Sequence, residues 1–347
     1  MSQTDPGSRA IAVTLFDRLK HLAEFVQPRA KGLLCLLAGQ ILACDQLFDP
    51  TGGFERKLVV YSILTTNGDM QFVRVCTTYD VPGFDPYENT VDPTVSDAAV
   101  TIMIEGRRYA VRDTILPRPM NTRYKTPILA YVAQPFPVTR GKTYQLEVVS
   151  PTLGTAFSST TVPEQTYFDL HYEGTRLLER PPIVDLPIRV LGSFSKSARG
   201  YVLRFLLVYS VLKDSVWSKE EEEVPLSYIL VKPVSGVEQI RYPEVKRIEG
   251  SSFDLPFMTD GYRWIIRKIL ARNLGQRVVF TQAKFQLTQL DENLYRYYMI
   301  VHAFQDRGSI RLDQPDYSNI NGAFGVFGAY SVDSLLYALP PNFPYNR

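Results

Sequence analysis

The sequence predicts a mainly β protein, an N-terminal immunoglobulin-like or prealbumin-like β-sandwich followed by a second β-rich domain with two helices. Three observations predict it. Apolar runs with a period of two recur from residue 57, Gly- and Pro-containing turns separate them, and no helical segment interrupts the strands of the first half, which argues for a sandwich over a βαβ fold. At 347 residues the chain has room for two average domains. The expected division is an N-terminal extension and signal-like segment over 1–43, the sandwich over 44–165, a Pro-rich connector over 166–187 and the second domain over 188–347.

In the sandwich, Lys57 to Leu64 reads as a strand, Thr66-Asn67-Gly68-Asp69 as a turn and Met70 to Thr77 as the returning strand. A Pro-rich loop spans 80–96. Ala99 to Ile104 follows with Val100, Ile102 and Ile104 on one face, and Glu105-Gly106 turns it into Arg108–Arg112. Thr143 to Val149 alternates, with Tyr144, Leu146 and Val148 inward and Gln145 and Glu147 outward. In the connector, Pro181, Pro182 and Pro187 break the apolar pattern, while Tyr167, Phe168, Leu170 and Tyr172 need somewhere to pack.

In the second domain, Tyr201 to Ser210 is apolar throughout and reads as a strand covered on both sides. Lys219 to Glu223 is a charge run, read as a solvated loop or face. Tyr262, Ile265, Ile266, Ile269 and Leu270 have a helical period, predicting a helix over 261–274 with Asp260 as cap and Gly275 as stop. Strand character returns over Arg277–Leu287. A second helix is predicted over 291–304, with Leu294, Tyr297, Tyr298 and Val301 along one side.

The apolar run Gly32 to Cys44 follows Arg29 and Lys31 and precedes turn-rich, acidic sequence. Basic flank, short apolar stretch and small residue before the break are the parts of a secretory signal, and the run is shorter than the roughly 20 residues a bilayer span needs. Ile41-Leu42-Ala43-Cys44 resembles the lipobox of bacterial lipoproteins. That resemblance implies cleavage before Cys44 and acylation of its thiol, hence a lipid anchor in a membrane. The competing reading is a core helix with an incidental cysteine. Residues 10–26 have a helical period, fitting either a helical extension or sequence upstream of the true start, and the second is preferred.

Lys and Arg number 38 and Asp and Glu 36, and residues 1–43 hold five of the former and three of the latter, so residues 44–347 carry 33 of each sign. A balanced body argues against nucleic-acid binding, which needs a basic footprint. Three cysteines (Cys35, Cys44, Cys76) are no disulfide framework, and Cys76 reads as a small core residue. No phosphate-cradling loop, dinucleotide fingerprint, Cys-x-x-Cys pair or His-Glu-x-x-His is present, so no metal ligand set, no cofactor and no catalytic residue is assigned. His171 and His302 have no neighbouring triad partners in sequence. Asp85, Glu88, Asn89 and Asp92 offer oxygen ligands in one loop, but their spacing matches no EF-hand and a plain polar loop is the preferred reading.

The most distinctive segment is Asp316 to Ser331, in which Gly322, Gly325 and Gly328 interleave with Phe324, Phe327 and Tyr330. It reads either as an aromatic ligand platform or, preferably, as a core strand relieved by glycine. Tyr295-Arg296-Tyr297-Tyr298 together with Tyr317 to Tyr330, whose block runs from Asn319 to Gly328, resembles the C-terminal signature of a lipoprotein family of Bacteroidetes-type bacteria, catalogued as domain of unknown function 4249. Lys57–Tyr61, Val95–Ile102, Gly141–Val148 and Thr161–Pro163 follow in the family's order, and Ala323 stands where the family more often has Gly. The resemblance covers residues 44–335. It implies an outer-membrane lipoprotein, anchored through Cys44 and often encoded near a TonB-dependent transporter, and it carries over no activity. A binding or accessory role serving such a transporter therefore leads. A surface hydrolase acting on glycan or peptide is the alternative, and a structural envelope component a third. Which face of the membrane the protein occupies, and its ligand, stay open.

Overall fold

The alternation legible in the chain folds as strands whose even or odd residues share one core. The structure, a computed structural model, describes residues 54–79, 89–118, 123–230, 238–303 and 317–346. Residues 1–53, with Cys44 and the signal-like run, and residues 80–88, with Asp85 and Glu88, lie outside the described residues. β1 (Leu58–Thr65) buries Leu58, Val60 and Leu64 and turns Tyr61 and Ile63 outward. β2 (Gln71–Thr77) pairs antiparallel with it. β3 (Ala99–Ile104) and β4 (Arg107–Leu116) form a hairpin at Glu105-Gly106, where both residues have positive φ, the turn that matches strand twist. β5 (Ile128–Ala133), β6 (Thr143–Ser150) and β7 (Gly154–Thr161) complete the first half.

β4 joins two layers. Its residues 107–111 pair with β3, and its residues 112–116 pair with β5. Leu58, Val60 and Val73 from one layer and Ile102, Leu146 and Val148 from the other share one core, which makes this half a β-sandwich.

The second half is built from β8 (Phe168–Leu170), helix α1 (Tyr172–Glu179), β9 (Pro187–Ser193), β10 (Ala198–Lys213), β11 (Val216–Val224), β12 (Ser227–Leu230), β13 (Glu238–Arg241), β14 (Lys246–Arg247), β15 (Ser252–Met258), α2 (Thr259–Arg272), β16 (Arg277–Asp291), α3 (Glu292–Ala303) and β17 (Phe324–Ala338). The protein is mainly β, and helices stand close to the expected 261–274 and 291–304. Tyr262, Ile265, Ile266 and Ile269 of α2 pack on Phe205, Phe257 and Phe285 in a second core. α1 and β8 occupy the expected connector. The helix is short and holds Gly174, a weak helix former, which hides it in the sequence.

The charge run over 219–223 is a strand and not a loop. β11 is the edge of the large sheet, and its glutamates alternate between faces. Glu220 and Glu222 meet Lys213, Lys268 and Arg272, while Glu221 and Glu223 meet Lys284 and Arg204. Charges along an edge discourage pairing with another chain.

One twelve-stranded sheet links the halves in the order β11-β10-β16-β17-β1-β2-β5-β4-β3-β6-β7, with β14 beside β10. β17 runs parallel to β1 and antiparallel to β16. It comes late in the chain, yet it supplies Phe327 and Ala329 to the first core, and its Leu335 and Tyr337 pack against the second. Residues 56–347 form one compact unit that holds both cores.

Candidate functional site

The signature residues gather where β17 meets β7 and α3. The Asn319 side chain accepts a hydrogen bond from Phe327 N (2.9 Å) and donates to Phe327 O (2.7 Å), standing in for a strand partner. Its amide also donates to Ser158 Oγ, which donates to Asn319 O at 2.7 Å. Asn321 and Phe157 exchange main-chain hydrogen bonds beside this clamp. Gly322 and Gly325 have φ of +81° and +117°. A Cβ at Gly322 would collide with the carbonyl oxygen of Thr155, and one at Gly325 with that of Val60. A Cβ at Gly328 would lie 2.8 Å from Leu294 Cβ, so that glycine seats α3. Phe327 is fully buried, while Phe324 is 45% exposed, with Lys57 Nζ 6.0 Å from its ring centre.

Asp291 fastens the same region. It caps α3 by accepting from Leu294 N (2.9 Å), and it also accepts from Ala329 N (3.0 Å) and the Thr160 hydroxyl. Burial pushes its carboxyl above the usual aspartate range, with the main-chain and hydroxyl donors pulling the other way. Asn293 donates to Ser159 O and accepts from the Tyr317 hydroxyl. A hollow of about 560 Å³ opens here beside Gln145, Glu147 and Phe157. The amides of Asn293 and Asn319 that face it are already engaged by the protein, so the geometry of the signature is that of a closure.

The other sequence candidates sit elsewhere. Asp92, nearly fully buried, accepts from Arg74 at 2.6 Å and from Arg118, so the protein supplies the cations it faces. Cys76 is buried, and burial pushes its thiol pKa up, which suits an inert core residue. His171 is the cap residue of α1 and lies against Tyr172. The His302 side chain is outside the described residues. Among the described residues no group of three His, Cys, Asp or Glu is placed to hold a metal ion. No helix among them is long and apolar enough to cross a membrane.

A different place has the features of a binding site. Between β14, which pairs with β10, and β15, which pairs with β9, a cleft of about 720 Å³ is lined by Tyr201, Lys246, Arg247, Phe253, Tyr295 and Met299. An adjoining hollow of about 640 Å³ shares Phe194, Arg247 and Glu249 with it and reaches Lys196. Phe194 lies 4.5 Å from the Tyr201 ring and 4.8 Å from that of Phe253, giving the cleft an aromatic floor. Gly192 makes this possible, since a Cβ there would run into the rings and side chains of Phe253 and Phe168. Gly200 in turn admits the Tyr295 ring.

Charge in the cleft is uneven. Asp254 is held by Arg189, and Arg199 by Glu292. The side chains of Lys196, Lys246 and Arg247 have no acidic partner among the described residues, and Glu249 is the one lining carboxylate beside them without an ion-pair partner there. Sequence reading passed over this cleft because its residues come from three separated stretches, of which only Tyr295 falls in a recognisable block. One local signal was present: Pro256, inside the alternating run Ser252–Met258, marks an edge strand.

Comparison with known proteins adds a family and little else. The family model for a domain of unknown function, DUF4249, matches residues 45–335. No curated protein matches the chain. Among solved structures, the C-terminal globular domain of an oligosaccharyltransferase from Pyrococcus abyssi is similar at 10% identity, with a TM-score of 0.21, over 84% of this chain and 51% of that one. The chain thus spans about half the length of that structure, and a likeness so loose carries no argument about function.

Proposed function

We start from the fact that this chain belongs to the DUF4249 family, and we propose that it is a lipid-anchored outer-membrane protein that works by binding, in an accessory role to a TonB-dependent transporter. The observation that carries the binding reading is the cleft between β14 and β15. It combines an aromatic floor, unpaired cations and a volume of about 720 Å³, within the range of ligand sites. Carboxylate-based hydrolysis would need a pair of free acids at a set separation. Here Asp254 is committed to Arg189 and Glu249 stands without a second free carboxylate among the described lining residues, which favours binding over the hydrolase alternative.

The anchor half of the proposal is supported by the lipobox-like Ile41–Cys44 and by a family match that begins at the next residue, 45. Tethering through Cys44 confines the protein to the membrane plane and raises its effective concentration toward an integral partner without any new contact. The transporter is the partner that the family resemblance suggests.

The test is made in cells. Cys44→Ala should release the protein from the membrane fraction. A photo-crosslinking residue in place of Met299, which is exposed at the cleft, should capture an outer-membrane barrel. A wild-type mass that retains residues 1–43 without lipid would defeat the anchor. Turnover of a glycan or peptide, abolished by one Asp or Glu substitution that spares folding, would hand the function to the hydrolase reading.

A further inference from the structure

The cleft borders a strand edge whose main chain is left open. β15 is the outer strand of the three-stranded sheet β15-β9-β8. In an antiparallel pair, main-chain groups point alternately toward and away from the partner strand. Phe194 N donates to Ser251 O, which turns the odd-numbered residues of β15 toward β9. Met258 N donates away from β9, to Leu226 O, and Pro256, which has no N–H, shares that outward parity. Ser252 and Asp254 therefore direct their N–H and C=O groups outward. Among the described residues, these groups have no hydrogen-bond partner. Ser252, Phe253, Asp254 and Leu255, four successive residues of one strand, all line the cleft.

Two sheet edges of the second half, β11 and β15, differ in this respect. β11 is laced with glutamates paired to lysines and arginines, a guarded edge. β15 carries one ion pair, Asp254 with Arg189, and a proline at Pro256, which limits any added strand to the stretch before it. We propose that the free edge of β15 at Ser252–Leu255 receives a short extended segment of a partner protein, acidic in character, by strand addition. This deepens the binding reading above and rests on it.

The chemistry of the occupant follows from the walls. Side chains of an added strand alternate between faces. One set would lie on the aromatic floor of Phe194, Tyr201 and Phe253 and is apolar. The other reaches the rim, where Lys246, Arg247 and Lys196 outnumber Glu249 and call for Asp or Glu. A compact small molecule would satisfy the floor but leave the main-chain groups of Ser252 and Asp254 to water. An extended peptide satisfies both.

The experiment selects random displayed peptides on the purified full chain and remakes the winners with N-methyl groups on alternate residues. Strand addition uses one edge of the peptide. Methylation of that edge should weaken binding by about tenfold or more, while methylation of the other edge leaves it unchanged. The winners should be rich in Asp and Glu, and Lys246→Glu with Arg247→Glu should reduce their binding in a protein whose melting temperature is unaltered. Failure to enrich any peptide, equal tolerance of methylation on both edges, or a bias toward Lys and Arg would overturn the proposal. Crosslinking of a transporter through position 299 alongside such a failure would leave the binding reading standing and remove strand addition alone.

Discussion

At the seam between β7, β17 and α3, polar side chains are turned inward and engaged. At the cleft between β14 and β15, Lys246 and Arg247 turn outward with no acidic partner among the described residues. Asn319, Asn293, Ser158 and Asp291 all bond to main chain across the seam, and glycines bring backbone within contact distance there. The side chains of Lys246 and Arg247 and the outward main-chain groups of Ser252 and Asp254 have no hydrogen-bond partner among the described residues. A distinctive sequence block therefore need not be a ligand site. Here it closes a sheet, and the cleft proposed for binding takes only Tyr295 from the signature.

The largest test of this contrast is Gly325→Ala. Its φ of +117° strains any L side chain, and the new Cβ would meet Val60 O across the β1–β17 pair. A loss of about 3 kcal/mol or more is expected in thermal unfolding. Gly68→Ala is the matched control. Its φ is +120°, but open space surrounds it, so it should cost only about 1 kcal/mol of strain. Equal effects at the two positions would mean that the seam is not tightly closed.

Next comes Asp291. Asp291→Ala removes the cap of α3 and leaves Ala329 N buried without a partner, a loss of about 2–3 kcal/mol. Asp291→Asn keeps an oxygen acceptor and should cost less. The pair also gives a pH test. A carboxyl raised above its unfolded pKa holds its proton more tightly in the folded protein. Its contribution is then fully present below the unfolded pKa and is lost as pH rises through the folded one. The stability difference between wild type and Asp291→Asn should fall with rising pH across that window, as measured by denaturant titrations.

How much of this was legible differs by region, for physical reasons. Alternation at Leu58, Val60 and Leu64 and the helical period at Tyr262, Ile265, Ile266 and Ile269 report burial directly, because residues two apart in a strand and three or four apart in a helix share a face. The charge run at 219–223 left loop and face open, because local charge density looks the same on a solvated loop and on a guarded edge strand. The glycine block announced close approach, but the partner at Gly325 is Val60, far away in the sequence, and nothing local names it. The cleft escaped because it is assembled from the neighbourhoods of residues 194–201, 245–255 and 295–299. An unpaired strand edge leaves almost no trace in sequence beyond a proline.

A smaller effect is expected at Asn319. Asn319→Ala leaves both main-chain groups of Phe327 without the amide clamp, at a cost of about 1–2 kcal/mol, because α3 and the β1 pairing still hold β17 in place. Asn319→Asp should recover the acceptor toward Phe327 N and lose the donor toward Phe327 O, and so fall between wild type and alanine. A shift no larger than that of an exposed residue would mean that the clamp only decorates a seam already closed by its glycines.

The smallest expected effect sharpens the contrast from the other side. Lys246→Glu combined with Arg247→Glu reverses the charge of β14 at the cleft rim. Both side chains are exposed and neither has an acidic partner among the described residues, so no ion pair is broken. The pairing of β14 with Gly200 and Tyr201 uses main-chain groups that the substitutions leave in place. Stability should therefore change by no more than about 0.5 kcal/mol, the usual range for surface substitutions. That near-silence is informative because it differs in kind from the seam. There, removing a single Cβ-free position is expected to disrupt packing. At the rim, two reversed charges should alter only what the surface attracts. If the double variant instead melts well below wild type, the rim charges support the fold, and the cleft loses its standing as a surface built for an outside partner.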